Sequence, residues 1–148
     1  MSGLRVLGHP LHPMLSDFPL VFLLLWAAMD VAAIELGSAM LWGLARWALV
    51  AGLVAGGLTA TAGFIDYLGV GQSKPRAVRT ATAHLTVMVS VVSVALVDLV
   101  FRTPVLPDGT GRWLELAAAV VVAGGLVAGG WLGGQLVFHY GVGVDERR

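Results

Sequence analysis

Four long stretches of this chain carry almost no charge. Residues 18–29 are uncharged, and the apolar run continues past Asp30 to Ile34. Residues 47–65, 80–97 and 116–138 contain no Asp, Glu, Lys or Arg. Crossing about 30 Å of hydrocarbon takes roughly 20 apolar residues as helix, and a helix satisfies its own backbone polar groups in lipid. The pattern therefore predicts an all-α integral membrane protein. Its architecture is an antiparallel four-helix transmembrane bundle with spans at about 16–35, 46–67, 80–101 and 115–138, in one domain over 1–148. The first apolar run is too long for a signal-peptide core, so a cleaved leader is not expected.

The ends of the spans carry boundary signals. Ser16 and Asp17 are good N-cap types, and Pro19 would then fall in the first turn, where a missing N–H costs little. The prolines of His9-Pro10-Leu11-His12-Pro13 disfavour helix and point to an extended or turn segment across the bundle mouth. Residues 69–79, with Gly71, Ser73 and Pro75, read as a loop, and so does the stretch holding Pro104, Pro107 and Gly109. Small residues recur every fourth position at Gly52, Gly56 and Ala60, at Gly125, Gly129 and Gly133, and at Gly130 and Gly134. That spacing lets helix backbones approach closely in lipid. Close approach to a flat cofactor is the other use of such thin backbone.

A short internal similarity divides the chain in two. Asp66-Tyr67 and His139-Tyr140 close the second and fourth spans, each followed by Gly-Val-Gly with a one-residue slip. From His12 to Asp66 is 54 positions and from His84 to His139 is 55. Two similar helical hairpins, related by an axis along the membrane normal, would produce this.

Composition sharpens the reading. Of 148 residues 57% are hydrophobic and 12% charged, about half the charged share of a soluble domain. Nine cations balance nine acids, which leaves no basic field for nucleic acid. The absence of cysteine removes disulfides, thiolate zinc sites, iron–sulfur ligation and c-type haem attachment. With four spans, Arg5, Lys74, Arg76, Arg79, Arg147 and Arg148 share one side, and Arg46, Arg102 and Arg112 the other. Cations favour the cytoplasm, so both termini are expected inside. Trp42, Trp47 and Trp113 would form an outer aromatic belt.

The functional argument rests on polar residues near the membrane. His9 and His12 precede the first span, His84 opens the third and His139 closes the fourth. On this topology all four lie at the cytoplasmic end, together with Asp17 and Asp66. Each has a bland alternative: a proline-stiffened cap, a helix cap for Asp17, a core histidine for His84, an interfacial anchor for His139, or a pairing of Asp66 with Arg76 or Arg79. Their convergence favours function, because ionisable groups in a span are expensive. At the outer end Asp30, Arg46 and Asp98, with Glu35 nearby, read as ion pairs that set the bundle's register. A proton or ion path is the alternative, since Asp98 shares a helical face with His84.

These residues also carry a resemblance. Gly8-His9-Pro10-Leu11-His12-Pro13-Met14, Asp17-Phe18-Pro19, Asp66-Tyr67, His84 and the stretch from Gly133-Gly134 to His139-Tyr140-Gly141-Val142-Gly143 resemble a bacterial membrane family catalogued as domain of unknown function twenty-two thirty-one. The resemblance covers nearly the whole chain and implies a bacterial inner-membrane location. Some similar proteins carry a Rieske-type iron–sulfur domain after the fourth helix, which by association implies electron transfer.

Three functions follow as expectations. The first is a membrane electron-transfer subunit binding haem b. Two imidazoles at similar depth on different helices would ligate it, with His84 and His139 as the pair, His12 able to replace either, His9 a further candidate, and Gly130, Gly133 and Gly134 as thin backbone. The second is a non-haem iron, zinc or copper site built from His9, His12, His84, His139 and Asp66. The third is a non-catalytic anchor or assembly subunit of a larger membrane complex. Expected partners are the lipid bilayer, other membrane or redox subunits, or a second copy in a homo-oligomer.

Overall fold

The computed structural model describes residues 4–144. Arg147 and Arg148, counted above among the cations of one side, lie outside the described residues. A two-stranded hairpin, β1 (Arg5–Val6) and β2 (His9–Pro10), precedes four helices. These are α1 (Leu11–Leu36), α2 (Ala39–Ser73), α3 (Val78–Phe101) and α4 (Gly109–Phe138), with a single 3-10 turn at Pro75–Ala77 before α3. All four helices are long and apolar enough to cross a membrane. Helix α1 packs most closely on α2, and α3 on α4. The contacts of α1 with α4 and of α2 with α3 complete a square, which leaves α1 and α3 on one diagonal.

The bundle agrees with the expected architecture, but several helix ends do not. Helix α1 begins at Leu11, not near Ser16, and Pro10 stands at its N-cap position. Pro13 occupies the first turn, where backbone N–H groups have no intrahelical acceptor, so it does not break the helix. His12 is therefore helical rather than part of an extended cap. Asp17 is exposed on α1, and the Ser16 hydroxyl donates back to Pro13 O at 2.8 Å instead of capping.

Pro19 lies inside α1 and cannot donate to Leu15 O. The Thr59 hydroxyl of α2 takes its place, reaching Leu15 O at 3.2 Å and Ala55 O at 2.9 Å. Threonine on a neighbouring helix is one of the ways a freed carbonyl is satisfied in a membrane bundle.

Helix α2 also outruns its expected bounds. Gly37 ends α1 in the left-handed conformation at φ 64°, and Ser38 caps α2 by accepting from Leu41 N at 3.3 Å. A two-residue connection therefore replaces the longer one implied by spans ending at 35 and resuming at 46. At its other end α2 runs through Gly69 and Gly71 to Ser73, where a loop was expected. Val70 is held there in an apolar cluster with Tyr67, Ala77, Ala81, Leu136 and Tyr140. With 35 residues, about 52 Å long, α2 is longer than a bilayer core is thick.

The core is narrow and small-residue rich. Leu23, Trp26, Leu49, Val91, Val122 and Leu126 are buried together with Ala27, Ala45, Ala48, Ala95 and Ala119. A Cβ added to Gly52 would meet Leu23 Cδ2 at 2.7 Å, while one on Gly125 would collide with Val91 and one on Gly129 with Met88. Those three are packing glycines. Gly130 has open space beside it and Gly134 meets only Phe138 of its own helix, so that second stripe packs no neighbouring helix.

Candidate functional site

The structure brings two of the four histidines together. His12 on α1 and His84 on α3 reach across the diagonal with ring centroids 6.3 Å apart and planes at 82°. Each is half-buried, and each is held by a backbone carbonyl of the other helix in its own hairpin. His12 Nδ1 lies 3.0 Å from Thr59 O, and His84 Nδ1 lies 2.9 Å from Gly129 O. A carbonyl oxygen only accepts, so Nδ1 of both rings carries the proton and donates it. In the neutral ring that leaves the Nε2 lone pair available. Metal-ligating histidines are oriented in the same way, one ring nitrogen donating to a carbonyl while the other ligates.

A glycine sits one turn beyond each carbonyl. A Cβ on Gly63 would lie 2.7 Å from Cε1 and Nδ1 of His12, and one on Gly133 would lie 3.4 Å from Cε1 of His84. The two hairpins thus repeat one device: a histidine, a partner-helix carbonyl, and a glycine four residues on. His84 follows His12 by 72 positions, while Gly129 and Gly133 follow Thr59 and Gly63 by 70. Sequence reasoning passed over Thr59 and Gly63. The histidine offset of 72, applied to Gly129 and Gly133, lands on Gly57 and Thr61, two residues short, so only the packed structure pairs Thr59 and Gly63 with them.

The remaining candidates lie elsewhere. His139 is exposed at the C-cap of α4, its ring edge-on to Tyr140 at 4.6 Å. It is ten residues beyond Gly129, about 15 Å along the helix, so His84 and His139 do not share a depth. His9 is exposed in β2 and pairs with Val6. Asp66 accepts from Leu4 N at 3.0 Å and tethers the N-terminal hairpin to α2. Its Oδ1 thus serves the chain's own backbone rather than the expected Arg76 or Arg79, and Tyr67 beside it reaches Thr82 at 3.0 Å. Among the described residues the single group of three His or acidic side chains with ligand atoms within 4.8 Å of one another is Asp30, Asp98 and Glu115, at the other end.

That other end is an ion cluster, and its cation is Arg102 rather than the expected Arg46. The Arg102 guanidinium, fully buried, meets Asp30 through two hydrogen bonds, one of 2.8 Å and a shorter one from Nη2 to Oδ1. It also donates to Asp98 at 3.2 Å and lies 3.8 Å from Glu115 Oε2. Its carbon sits 3.5 Å from the Trp42 ring centroid, so Trp42 is buried in the bundle and does not join the aromatic belt. Trp47 and Trp113 remain exposed, at 71% and 68%. Burial works against the Arg102 charge, but the Asp30 hydrogen bonds and the field of the three carboxylates hold its pKa above the usual arginine value. Arg46 donates to Arg102 O at 3.0 Å, and Arg112 pairs with Glu35 at 2.6 Å. Arg102 thus joins α1, α3 and α4, with Trp42 of α2 over its face.

A family described as a predicted membrane protein family, DUF2231, matches residues 8–146. The chain belongs to this family. The match takes in all four helices, the His12–His84 pair and the Arg102 cluster, and with four helices able to cross a bilayer the chain is an integral membrane protein. No curated protein and no solved structure matches it.

Proposed function

We propose that this protein is a membrane electron-transfer subunit in which His12 and His84 hold the iron of a b-type haem. The observation that carries the reading is the matched pair of Nδ1–H to carbonyl bonds, which leaves the Nε2 lone pairs unused on two rings from diagonal helices with centroids 6.3 Å apart. His12 and His84 would hold the iron through Nε2 from rings whose centroids lie 6.3 Å apart. A haem iron so held supplies a one-electron couple. Thr59 and Gly129 fix the ring tautomers, and Gly63 and Gly133 give the imidazoles room.

Among the earlier alternatives, a mixed His/Asp metal centre has less support, because Asp66 is engaged with Leu4 N and grouped with no histidine. Orientation follows from charge. Arg5, Lys74, Arg76 and Arg79 lie at the histidine end, while two of the three cations opposite are paired with acids. The histidine end therefore faces the cytoplasm of a bacterial inner membrane, where a further redox subunit would exchange electrons with it.

The test is an optical spectrum of detergent-purified protein, oxidised and dithionite-reduced, with iron measured on the same sample and after reconstitution with haemin. A Soret band abolished by His12→Ala or His84→Ala and retained in His139→Ala is expected. A protein that stays colourless after haemin addition, or a band lost only with His139, would overturn the assignment.

A further inference from the structure

We propose that the cleft between the α2–α3 connection and the C-terminal end of α4 binds a phosphate-bearing anion at the bilayer surface. The cleft, about 450 Å³, is lined by Ser73, Lys74, Pro75, Arg76, Ala77, His139 and Tyr140. Lys74 and Arg76 are cations, His139 is an imidazole, and no described lining residue is acidic. It forms where α2 stops at Ser73 and the chain turns through Pro75–Ala77 into α3. The opposing wall is the turn after α4, where Gly141 adopts φ 64° and a Cβ added to it would lie 3.7 Å from Lys74 Nζ.

The groups differ in what they can offer. Arg76 is exposed and lines the cleft, and a guanidinium can grip phosphate oxygens through two parallel N–H donors. The Tyr140 hydroxyl and the His139 ring N–H add further donors. Ser73 does not, because its hydroxyl hydrogen already goes to Gly69 O at 2.8 Å. Immediately beneath, Phe138 is 90% exposed on a helix of membrane-spanning length and Leu68 is exposed on α2. An anion in the cleft would thus sit at the level where polar headgroup meets acyl chain. Basic pockets between transmembrane helices suit phospholipid headgroups on this ground. This inference does not depend on the histidine pair binding haem.

The ligand chemistry has two sources, an anionic phospholipid headgroup or free phosphate, and one experiment separates them. The purified protein is placed in nanodiscs of phosphatidylglycerol and phosphatidylcholine, re-extracted, and its retained lipids are quantified. In parallel, inorganic phosphate is titrated calorimetrically into the detergent-solubilised protein. Enrichment of phosphatidylglycerol, reduced about fivefold by Arg76→Gln and little changed by Arg79→Gln, identifies a lipid site. Arg79 carries the same charge on the same side but does not line the cleft. Phosphate binding without lipid enrichment, again lost in Arg76→Gln, identifies a free-anion site. Equal losses for the two variants would mean a diffuse surface field, and absence of both bindings would mean no site; either overturns the proposal.

Discussion

His12 and His84 stand on helices that barely touch, yet their ring centroids are 6.3 Å apart because each histidine leans on the carbonyl of its own hairpin partner. The pair is a meeting of two equivalent halves. Thr59 O and Gly129 O set the ring directions, and Gly63 and Gly133 leave the volume the rings fill. Bringing two rings to one point from opposite corners of a square bundle requires both hairpins to be built alike at that level.

The glycines give the first prediction. A methyl at Gly63 would sit 2.7 Å from two atoms of the His12 ring, so Gly63→Ala must push the imidazole off Thr59 O. Haem bound per protein, read as Soret absorbance, should fall severalfold, with less effect from Gly133→Ala at 3.4 Å and none from Gly130→Ala, which faces open space. Helicity by circular dichroism should be unchanged in all three. Equal behaviour of Gly63→Ala and Gly130→Ala would separate the glycine from the site.

The ion cluster predicts an order of stabilities. Arg102→Gln leaves three carboxylates facing one another in a buried site, and breaking a buried ion network this way costs about 3–5 kcal/mol. Asp30→Asn removes one charge but keeps Asp98 and Glu115 beside the guanidinium and should cost less, on the order of 1–3 kcal/mol. Glu115→Gln relieves an excess of acid over base and should be close to neutral or stabilising, since Glu115 Oε2 makes no hydrogen bond. Thermal unfolding in detergent checks the order. A Glu115→Gln variant less stable than Asp30→Asn would contradict it.

Thr59 and Pro19 should be coupled. Thr59→Val strips the donor from Leu15 O and is expected to cost about 1–3 kcal/mol in the native background. In Pro19→Ala the restored backbone N–H can bond Leu15 O itself, so the same Thr59→Val change should cost visibly less. A double-mutant cycle by thermal unfolding measures the difference. Additive effects would mean that the hydroxyl acts elsewhere, for instance only on Ala55 O.

Much of the fold was legible because lipid imposes a length and a composition on anything that crosses it. Uncharged runs of about 20 residues located four spans, and Gly125 and Gly129 in one stripe marked a real helix contact. The termini of the helices were less legible. Pro13 signals an extended segment and Pro19 a helix start, but Pro13 sits in the first turn and Pro19 lies inside the helix, where Thr59 compensates it. The glycines of residues 69–71 signal a loop, but the burial of Val70 keeps the helix intact.

The site was legible only as a set of residue types at one end. Sequence alone determined that the chain is a four-helix membrane protein and that four histidines gather on one side, since both follow from order along the chain and from hydrophobicity. Which histidines meet was decided by the tertiary structure. Depth along a helix depends on where that helix begins, and α1 begins five residues before its best cap signal, lifting His12 rather than His139 to the level of His84. The choice of Arg102 over Arg46 has the same origin. Both are at the outer end, and only the rotation of α3 within the packed bundle turns one guanidinium inward to Asp30 and leaves the other against a backbone carbonyl.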